Sequence, residues 1–352
     1  MLELMKKKRL SVVLIASEDW IPGMNTFIPG TCPDPVILFR LLADKYDIDV
    51  EIIDPVLPKN LPILKRHTVY RGVDPIRALK ILFLRRKVDL VVGVFESSLV
   101  VLSLLRRLMS FKPKLVMWDI TPDEVWKPRK WLQNIAVPRL DRLLVLSKNQ
   151  IPYLTRRWGV GERSIAIWQH VDTDFYQPEE FNSDGPILAI GDDHGRDWPT
   201  LIEALAPLDV DLVVKTKAKL VVPSGARMRL RQISERLSFQ DLRKLYADAS
   251  LVVIPLSETL NVSGVGSILE SMAMGKPLVI SDNPPIRDYL EPGRTADVVP
   301  VGDSVKLRQA VSTIMADPER MRTMGRLARR RAVDLYGSEA YAQRFAGALR
   351  SI

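Results

Sequence analysis

One pattern constrains the fold of this chain more than any other. Short, continuous apolar runs alternate with stretches of helical spacing along its whole length. In the first half the runs are Leu10–Ala16, Asp49–Ile53, Asp89–Phe95, Lys114–Asp119 and Arg142–Ser147. In the second they are Ile187–Ile190, Val210–Val214, Leu251–Pro255, Pro277–Ile280 and Asp297–Val299. An apolar run without polar alternation suits a strand covered on both faces, the situation of a parallel sheet packed between helices. The pattern therefore predicts an α/β protein made of repeated βα units. At 352 residues the chain exceeds one ordinary core, which predicts two doubly wound domains. Asp172–Pro186, with two prolines, Gly185 and several charges, reads as the linker between them.

Charge divides unevenly. Residues 1–170 hold 28 Lys and Arg against 17 Asp and Glu, a net of +11, while the chain as a whole carries +9. The basic first half is expected to meet something anionic: a membrane surface, a phosphorylated lipid or a charged glycan. Nucleic acid is not expected, because the basic residues are not interleaved with an aromatic platform. Cys32 is the single cysteine, which excludes an internal disulfide framework and suits a reducing compartment. The opening residues MLELMKKKRL lack the apolar core of a signal peptide. The longest apolar stretch, Leu99–Leu105, stops at Arg106-Arg107, too soon for a membrane span. A cytoplasmic protein, peripheral at the inner membrane face, is the expectation. The basic-apolar stretches Leu79–Val88 and Leu102–Lys114 read either as membrane-surface segments or as amphipathic core helices.

Within this frame, residues 251–282 carry the most chemistry. An apolar run leads into Ser263-Gly264-Val265-Gly266-Ser267, a helical stretch follows to Met274, and Gly275-Lys276-Pro277 returns the chain to a second apolar run. A Gly-rich turn opening a helix offers unpaired backbone N–H groups and the positive end of the helix dipole to an anion. Glu270, one to two turns in, can reach past a phosphate towards a sugar hydroxyl. Arg196, after Gly195 at another predicted strand-to-helix turn, matches phosphate geometry with its guanidinium. Lys215 and Lys217 end the next predicted strand and add positive potential. Asp119 ends an apolar strand, where an α/β sheet places site residues, and can orient a hydroxyl or accept its proton; Glu96 ends the preceding strand in the same way. Thr121 lies near Asp119, so that Asp119 also reads as a helix N-cap. His67, His170 and His194 are isolated and lack metal-ligand spacing, and Asp172-Thr173-Asp174 falls in the linker, so no metal site is predicted.

Four segments in order, across about 165–340, resemble GT-B glycosyltransferases, family 4 (glycosyl transferases group 1) in particular. Ser263-Gly264 with Glu270-Ser271-Met272-Ala273-Met274-Gly275-Lys276-Pro277 looks like the donor-site signature. Gln169-His170-Val171-Asp172-Thr173-Asp174-Phe175 resembles the interdomain motif. Gly191–Ala204 is similar to the first phosphate-facing loop and helix, and Asp241–Ala249 to the helix before the signature strand. The resemblance implies a GT-B fold: two facing Rossmann-like, doubly wound parallel-sheet domains with a cleft between. The expected division is 1–170 for the acceptor side, 171–337 for the nucleotide sugar, and 338–352 for a C-terminal helix packing back on the first domain.

The implied activity is retaining, metal-independent transfer of a sugar from a nucleotide-sugar donor, a UDP- or GDP-sugar, to an acceptor hydroxyl. The setting expected is cell-surface polysaccharide or glycolipid synthesis, with a glycan or lipid-linked acceptor. No further cofactor is required. Donor phosphate contacts fall to Arg196, Lys217, Ser263, Gly264, Val265 and Gly266, the ribose to Glu270, and acceptor-side catalysis to Asp119. Gly30 and Thr31, in the loop 18–35, and His194 are expected to touch donor sugar or acceptor. Arg236-Leu237-Ser238-Phe239 resembles the loop that packs the base. Three positions depart from the usual family pattern: Val262 stands where a glutamate is common, Asp192 where an arginine follows the first loop glycine, and Trp118-Asp119 near the place of a histidine. They leave two rival readings open, a catalytically silent GT-B partner binding glycan or membrane, and a nucleotide-sugar epimerase on the same fold.

Overall fold

The computed structural model describes residues 9–16, 19–56, 73–84, 87–106, 111–120 and 127–352. His67, Thr121, most of the opening MLELMKKKRL and parts of both basic-apolar stretches lie outside them. Two compact units are present: Met1–Phe27, Pro35–Ile167 and Tyr341–Ile352 in unit 1, and Ile28–Asp34 with Trp168–Ala340 in unit 2.

Unit 1 runs β1 (Leu10–Ile15), α1 (Ile21–Asn25), α2 (Ile37–Tyr46), β2 (Ile48–Ile53), α3 (Pro75–Leu84), β3 (Leu90–Val94), α4 (Val100–Leu105), β4 (Lys114–Trp118), α5 (Lys127–Ala136), β5 (Arg142–Val145), α6 (Ile151–Trp158) and β6 (Ser164–Ala166). Its six strands are all parallel, in the order β2-β1-β3-β4-β5-β6. Successive residues of each strand point to opposite layers. Val13 and Ile15 pack with Ile81, Leu82 and Leu102 on one side. Val12 and Leu14 pack with Leu38, Leu42, Tyr341 and Phe345 on the other.

Unit 2 runs β7 (Ile187–Ile190), α7 (Trp198–Leu205), β8 (Asp211–Lys215), β9 (Arg229–Ile233), α8 (Phe239–Asp248), β10 (Leu251–Ile254), α9 (Val265–Ala273), β11 (Leu278–Ser281), β12 (Asp297–Val299), α10 (Ser304–Met315) and α11 (Pro318–Arg331). The last helix, α12 (Ser338–Arg350), adds its residues from Tyr341 onward to unit 1. The second sheet is also all parallel, ordered β12-β11-β10-β7-β8-β9. Its topology reverses between β7 and β10, the kind of switch point beside which open α/β sheets bind ligands. Helix starts follow from local chemistry: Asp197, Ser238, Asp303 and Asp317 each accept a backbone N–H of the first turn.

The expected strands form, and two more appear, β6 and β9. Both are edge strands. β9 is Arg-Leu-Arg-Gln-Ile, largely exposed, so it lacks the continuous apolar run that marks a buried strand. The stretch 172–186 has no helix or strand, yet it is no free connector: Phe175 and Tyr176 are buried in the unit 2 core. Asp172 caps the local turn by accepting the Asp174 and Phe175 amides, and its second oxygen accepts the Asp34 amide. Lys276 of the signature is buried and donates to the Ala247 and Ala249 carbonyls at 2.7 and 2.9 Å, closing the end of α8. Burial lowers its pKa to about 8. Among the described residues no helix is long and apolar enough to cross a membrane.

Gly325 on α11 meets the turn after α9 backbone to backbone. A Cβ at Gly325 would lie 2.0 Å from the Gly275 carbonyl oxygen, which no side-chain movement relieves. Gly325→Ala is expected to lower the stability of unit 2 by about 1–3 kcal/mol, read as a lower urea midpoint with an unchanged slope.

Candidate functional site

The loop after β7 and the turn after β10 meet at the switch point of the second sheet. Asp197 donates its amide to the Pro255 carbonyl and Ser257 donates to Gly195, so residues 195–197 lie along the end of β10. Gly195 lies against Ser263: a Cβ there would come within 2.4 Å of the Ser263 hydroxyl. Gly264 caps α9 with φ +80°, a conformation natural to glycine. Of the first-turn amides of α9, none of which has an acceptor within the helix, Val265 donates to the Val262 carbonyl.

Arg196 is not an exposed cation at a helix start. Its side chain is 3% exposed, wedged between the two loops. Nε donates to Asp193 at 2.9 Å and Nη2 to the Ser267 hydroxyl at 3.0 Å. Nη1 is buried and has no hydrogen-bond partner among the described residues. It points at Gly264, where a Cβ would lie 3.2 Å from it. A buried guanidinium donor without an acceptor is costly and uncommon in native proteins. Here it lies beside the N-terminus of α9, so the donor and the helix dipole both favour a negative group at one place.

Glu270, on α9, is half-buried and held from two sides. The Tyr176 hydroxyl donates to Oε1 at 3.1 Å and the Tyr246 hydroxyl to Oε2 at 2.7 Å. Burial pushes its carboxyl above the usual range, against the pull of both hydroxyls and of Arg196. Each oxygen still has acceptor capacity, so the carboxylate can take further hydroxyls.

The other expected residues divide by place. Ser263, Val265 and Gly266 form the mouth of α9, with Gly266 exposed. Lys217 is exposed and gives its amide to Asp192 at 2.7 Å; Lys215 pairs with the same carboxylate at 2.6 Å. Burial raises the Asp192 carboxyl, but the two lysines outweigh it and hold it below the ordinary value. Asp192 thus neutralises Lys215 rather than opposing a ligand. His194 is exposed in the same loop. Gly30 and Thr31 belong to the segment of unit 2 contributed by the first half, where Gly30 accepts from Gln240. Thr31 and Cys32 line a cavity of about 490 Å³ with Lys215, Arg236, Leu237, Ser238, Phe239 and Leu242. Among the described residues no three His, Cys, Asp or Glu side chains gather as metal ligands.

Asp119 lies in unit 1, just beyond β4, with φ +67°. Burial raises its pKa to about 7, Arg129 opposing and the Glu96 carboxylate reinforcing the shift. Glu96, just beyond β3, is fully buried and paired with Arg129 at 2.5 Å. Phe95 beside it also has a positive φ, +62°. Strain at two adjacent strand ends next to a raised carboxyl is typical of a site held in place by its surroundings.

Sequence reasoning missed Asp193, Ser267, Tyr176 and Tyr246. Asp193 and Ser267 carried a signal, being three residues before Arg196 and three after Gly264. Tyr176 lay in the apparent linker and gave none.

The family model described as Glycosyl transferases group 1 matches residues 197–317, which contain α7 through α10. Over 237 residues the chain is 30% identical to the MMP alpha-(1->4)-mannosyltransferase of Mycolicibacterium hassiacum, covering 61% of this chain and 56% of that relative. The match thus spans little more than half of the curated relative's length. Among solved structures, sucrose-phosphate synthase from Thermosynechococcus elongatus aligns with a TM-score of 0.74 at 18% identity, over 97% of this chain and 99% of that one. HepE from Anabaena, in complex with UDP and glucose, aligns with a TM-score of 0.67 at 15% identity, over 97% and 100%. At these identities the structural likeness speaks for the fold. The chain has the GT-B fold, and residues 197–317 of its second unit match the glycosyl transferases group 1 model.

Proposed function

We propose that this protein is a family 4-like glycosyltransferase that moves a sugar, with retained anomeric configuration and without a metal, from a UDP- or GDP-sugar to an acceptor hydroxyl. The observation that carries the reading is the buried, unmatched Nη1 of Arg196 beside the mouth of α9. A diphosphate there gains a charge-assisted hydrogen bond and the helix dipole as negative charge develops on it. That is the requirement for departure of a nucleoside diphosphate. The C–O bond from the anomeric carbon to phosphate breaks, the bond to the acceptor oxygen forms, and the acceptor proton passes to a donor phosphate oxygen. Glu270 takes the ribose hydroxyls, and the cavity around Arg236, Leu237 and Phe239 takes the base. A mannosyltransferase among the curated relatives and a UDP-bound structural neighbour support this assignment of the nucleotide. Arg196→Ala is expected to weaken binding of UDP or GDP by about tenfold or more, measured by calorimetry. Wild-type affinity in that variant refutes the site. Acceptor-dependent release of nucleotide separates a transferase from a silent partner or an epimerase.

Asp119 is assigned to the acceptor side, where its carboxyl can orient the acceptor hydroxyl through a hydrogen bond while the proton goes to the donor phosphate. Its raised pKa has a stability consequence with a definite sign. Between the ordinary value of 3.8 and about 7 the native state binds a proton that the unfolded chain has lost, so stability falls as pH rises through that window. Asn tolerates a positive φ and mimics the protonated carboxyl. Asp119→Asn should therefore match the wild type in thermal midpoint near pH 4, exceed it at pH 8, and lose transfer activity. Parallel midpoints across that range speak against the buried, titrating carboxyl.

The acceptor is assigned to a lipid-linked or surface glycan, met at a membrane. Helix α3 supports this: Ile76, Leu79, Lys80 and Phe83 form one exposed stripe, with Phe83 88% exposed. Trp131 on α5 is 64% exposed, and α3, α4 and α5 contain no acidic residue. Exposed aromatics on helices without acidic residues suit an anionic lipid surface. The protein is expected to co-sediment with phosphatidylglycerol vesicles and not with phosphatidylcholine, and Phe83→Ser with Trp131→Ser should release it.

A further inference from the structure

We propose that Tyr176 and Tyr246 are positioning residues for nucleotide recognition, holding Glu270 in the orientation in which its two oxygens accept the vicinal hydroxyls of a ribose. This rests on the assignment of Glu270 to the ribose and adds the groups through which that recognition works.

The geometry is a clamp. Each carboxylate oxygen receives one phenol, Oε1 from Tyr176 and Oε2 from Tyr246. The phenols come from different places, Tyr246 from α8 and Tyr176 from the stretch before β7, and both are buried. Their rings pack edge to face with centroids 6.3 Å apart, and Phe175 packs on Tyr176 in the same way at 4.9 Å. Neither hydroxyl can swing away without disturbing the core. With both ends fixed, the carboxylate plane is fixed, and the remaining lone pair on each oxygen has a set direction.

The clamp also governs charge. Only the ionised carboxylate offers acceptors on both oxygens, and burial opposes ionisation. The groups facing it are the two phenols and the Arg196 guanidinium, all favouring the charged form. Asp172 faces Tyr176 and Ser267 faces Tyr246 in turn. Burial and the neighbouring carboxylate drive both phenols' own pKa values upward, so they remain donors throughout the working range. Ser267 also accepts from Arg196, so the phosphate contact and the ribose contact share one polar network.

The test compares wild type, Tyr246→Phe and Tyr176→Phe by calorimetry. The probes are inorganic pyrophosphate, UDP, GDP and the 2′-deoxy forms of both nucleotides, at pH 6, 7 and 8.5, with near-ultraviolet circular dichroism to confirm folding. Losing one hydrogen bond to a charged acceptor is expected to weaken the ribonucleotide about tenfold at pH 7. The loss should be larger at pH 6 and smaller at pH 8.5, as Glu270 protonates more readily without its donor. The preference for ribo- over 2′-deoxy-nucleotide should shrink, and pyrophosphate should bind as before. Tyr176→Phe removes the other donor and stands in should Tyr246→Phe not fold. A wild type that binds pyrophosphate but does not distinguish the deoxy forms overturns the ribose assignment and this inference together. A wild type that does distinguish them, with folded variants keeping the same preference and pH profile, overturns this inference alone.

Discussion

A guanidinium removed from water is the point on which the second unit is organised. Arg196 carries five N–H donors into a space bounded by Gly191 and Gly264, and the surroundings engage only part of them. The glycines are needed because two loops must close on a flat cation. A Cβ at Gly191 would lie 2.0 Å from Nε. Asp193 fixes one edge and Ser267 the other, so the third direction, towards the start of α9, is set by the fold rather than by a rotamer choice. Ser267 belongs to α9 itself, and the same helix bears Glu270 one turn later. The group bonded to Arg196 and the clamped carboxylate are therefore spaced by about one helix turn, fixed by the geometry of α9.

Much of this was legible in the chain. Buried parallel strands announce themselves because no polar alternation interrupts them, so the ten apolar runs located the two sheets. The strands that escaped notice, β6 and β9, lie at sheet edges, where water on one side removes the demand for continuous apolarity. Arg196 and the turn at Gly264 were legible as a pair because a glycine opening a helix and a nearby arginine share one chemical use. What surrounds them was not. Tyr176 is 94 residues from Glu270 and Tyr246 is 24, and no local spacing rule joins residues so far apart. Asp192, a departure from the usual pattern, became intelligible only with Lys215 seen against it.

The first unit follows the same physics with different groups. Glu96 and Asp119 end neighbouring parallel strands, so their carboxyls are brought together by the sheet register and not by sequence spacing. Arg129 answers the first of them directly, and the second keeps its proton to near neutrality. Burying one paired carboxylate beside one largely protonated carboxyl avoids two neighbouring uncompensated charges. Both adjacent residues with positive φ, Phe95 and Asp119, sit where the backbone must leave the sheet sharply. Packing on both faces of β3 and β4 supports those turns.

The path of α12 bears on how the chain can acquire its structure as it is made. Tyr341, Phe345 and Leu349 share one side of the first sheet with Leu38 and Leu42 of α2, against Leu14, Val92 and Leu144. They follow every residue of unit 2 in the order of synthesis. When the chain up to residue 167 has left the ribosome, one side of the first sheet still lacks the part of its apolar cover that α12 supplies. It must wait while some 170 further residues emerge, about ten to thirty seconds at ordinary elongation rates. A nascent first unit of this kind presents an oily face to its surroundings throughout that interval, which makes it a natural client for chaperones that bind such surfaces.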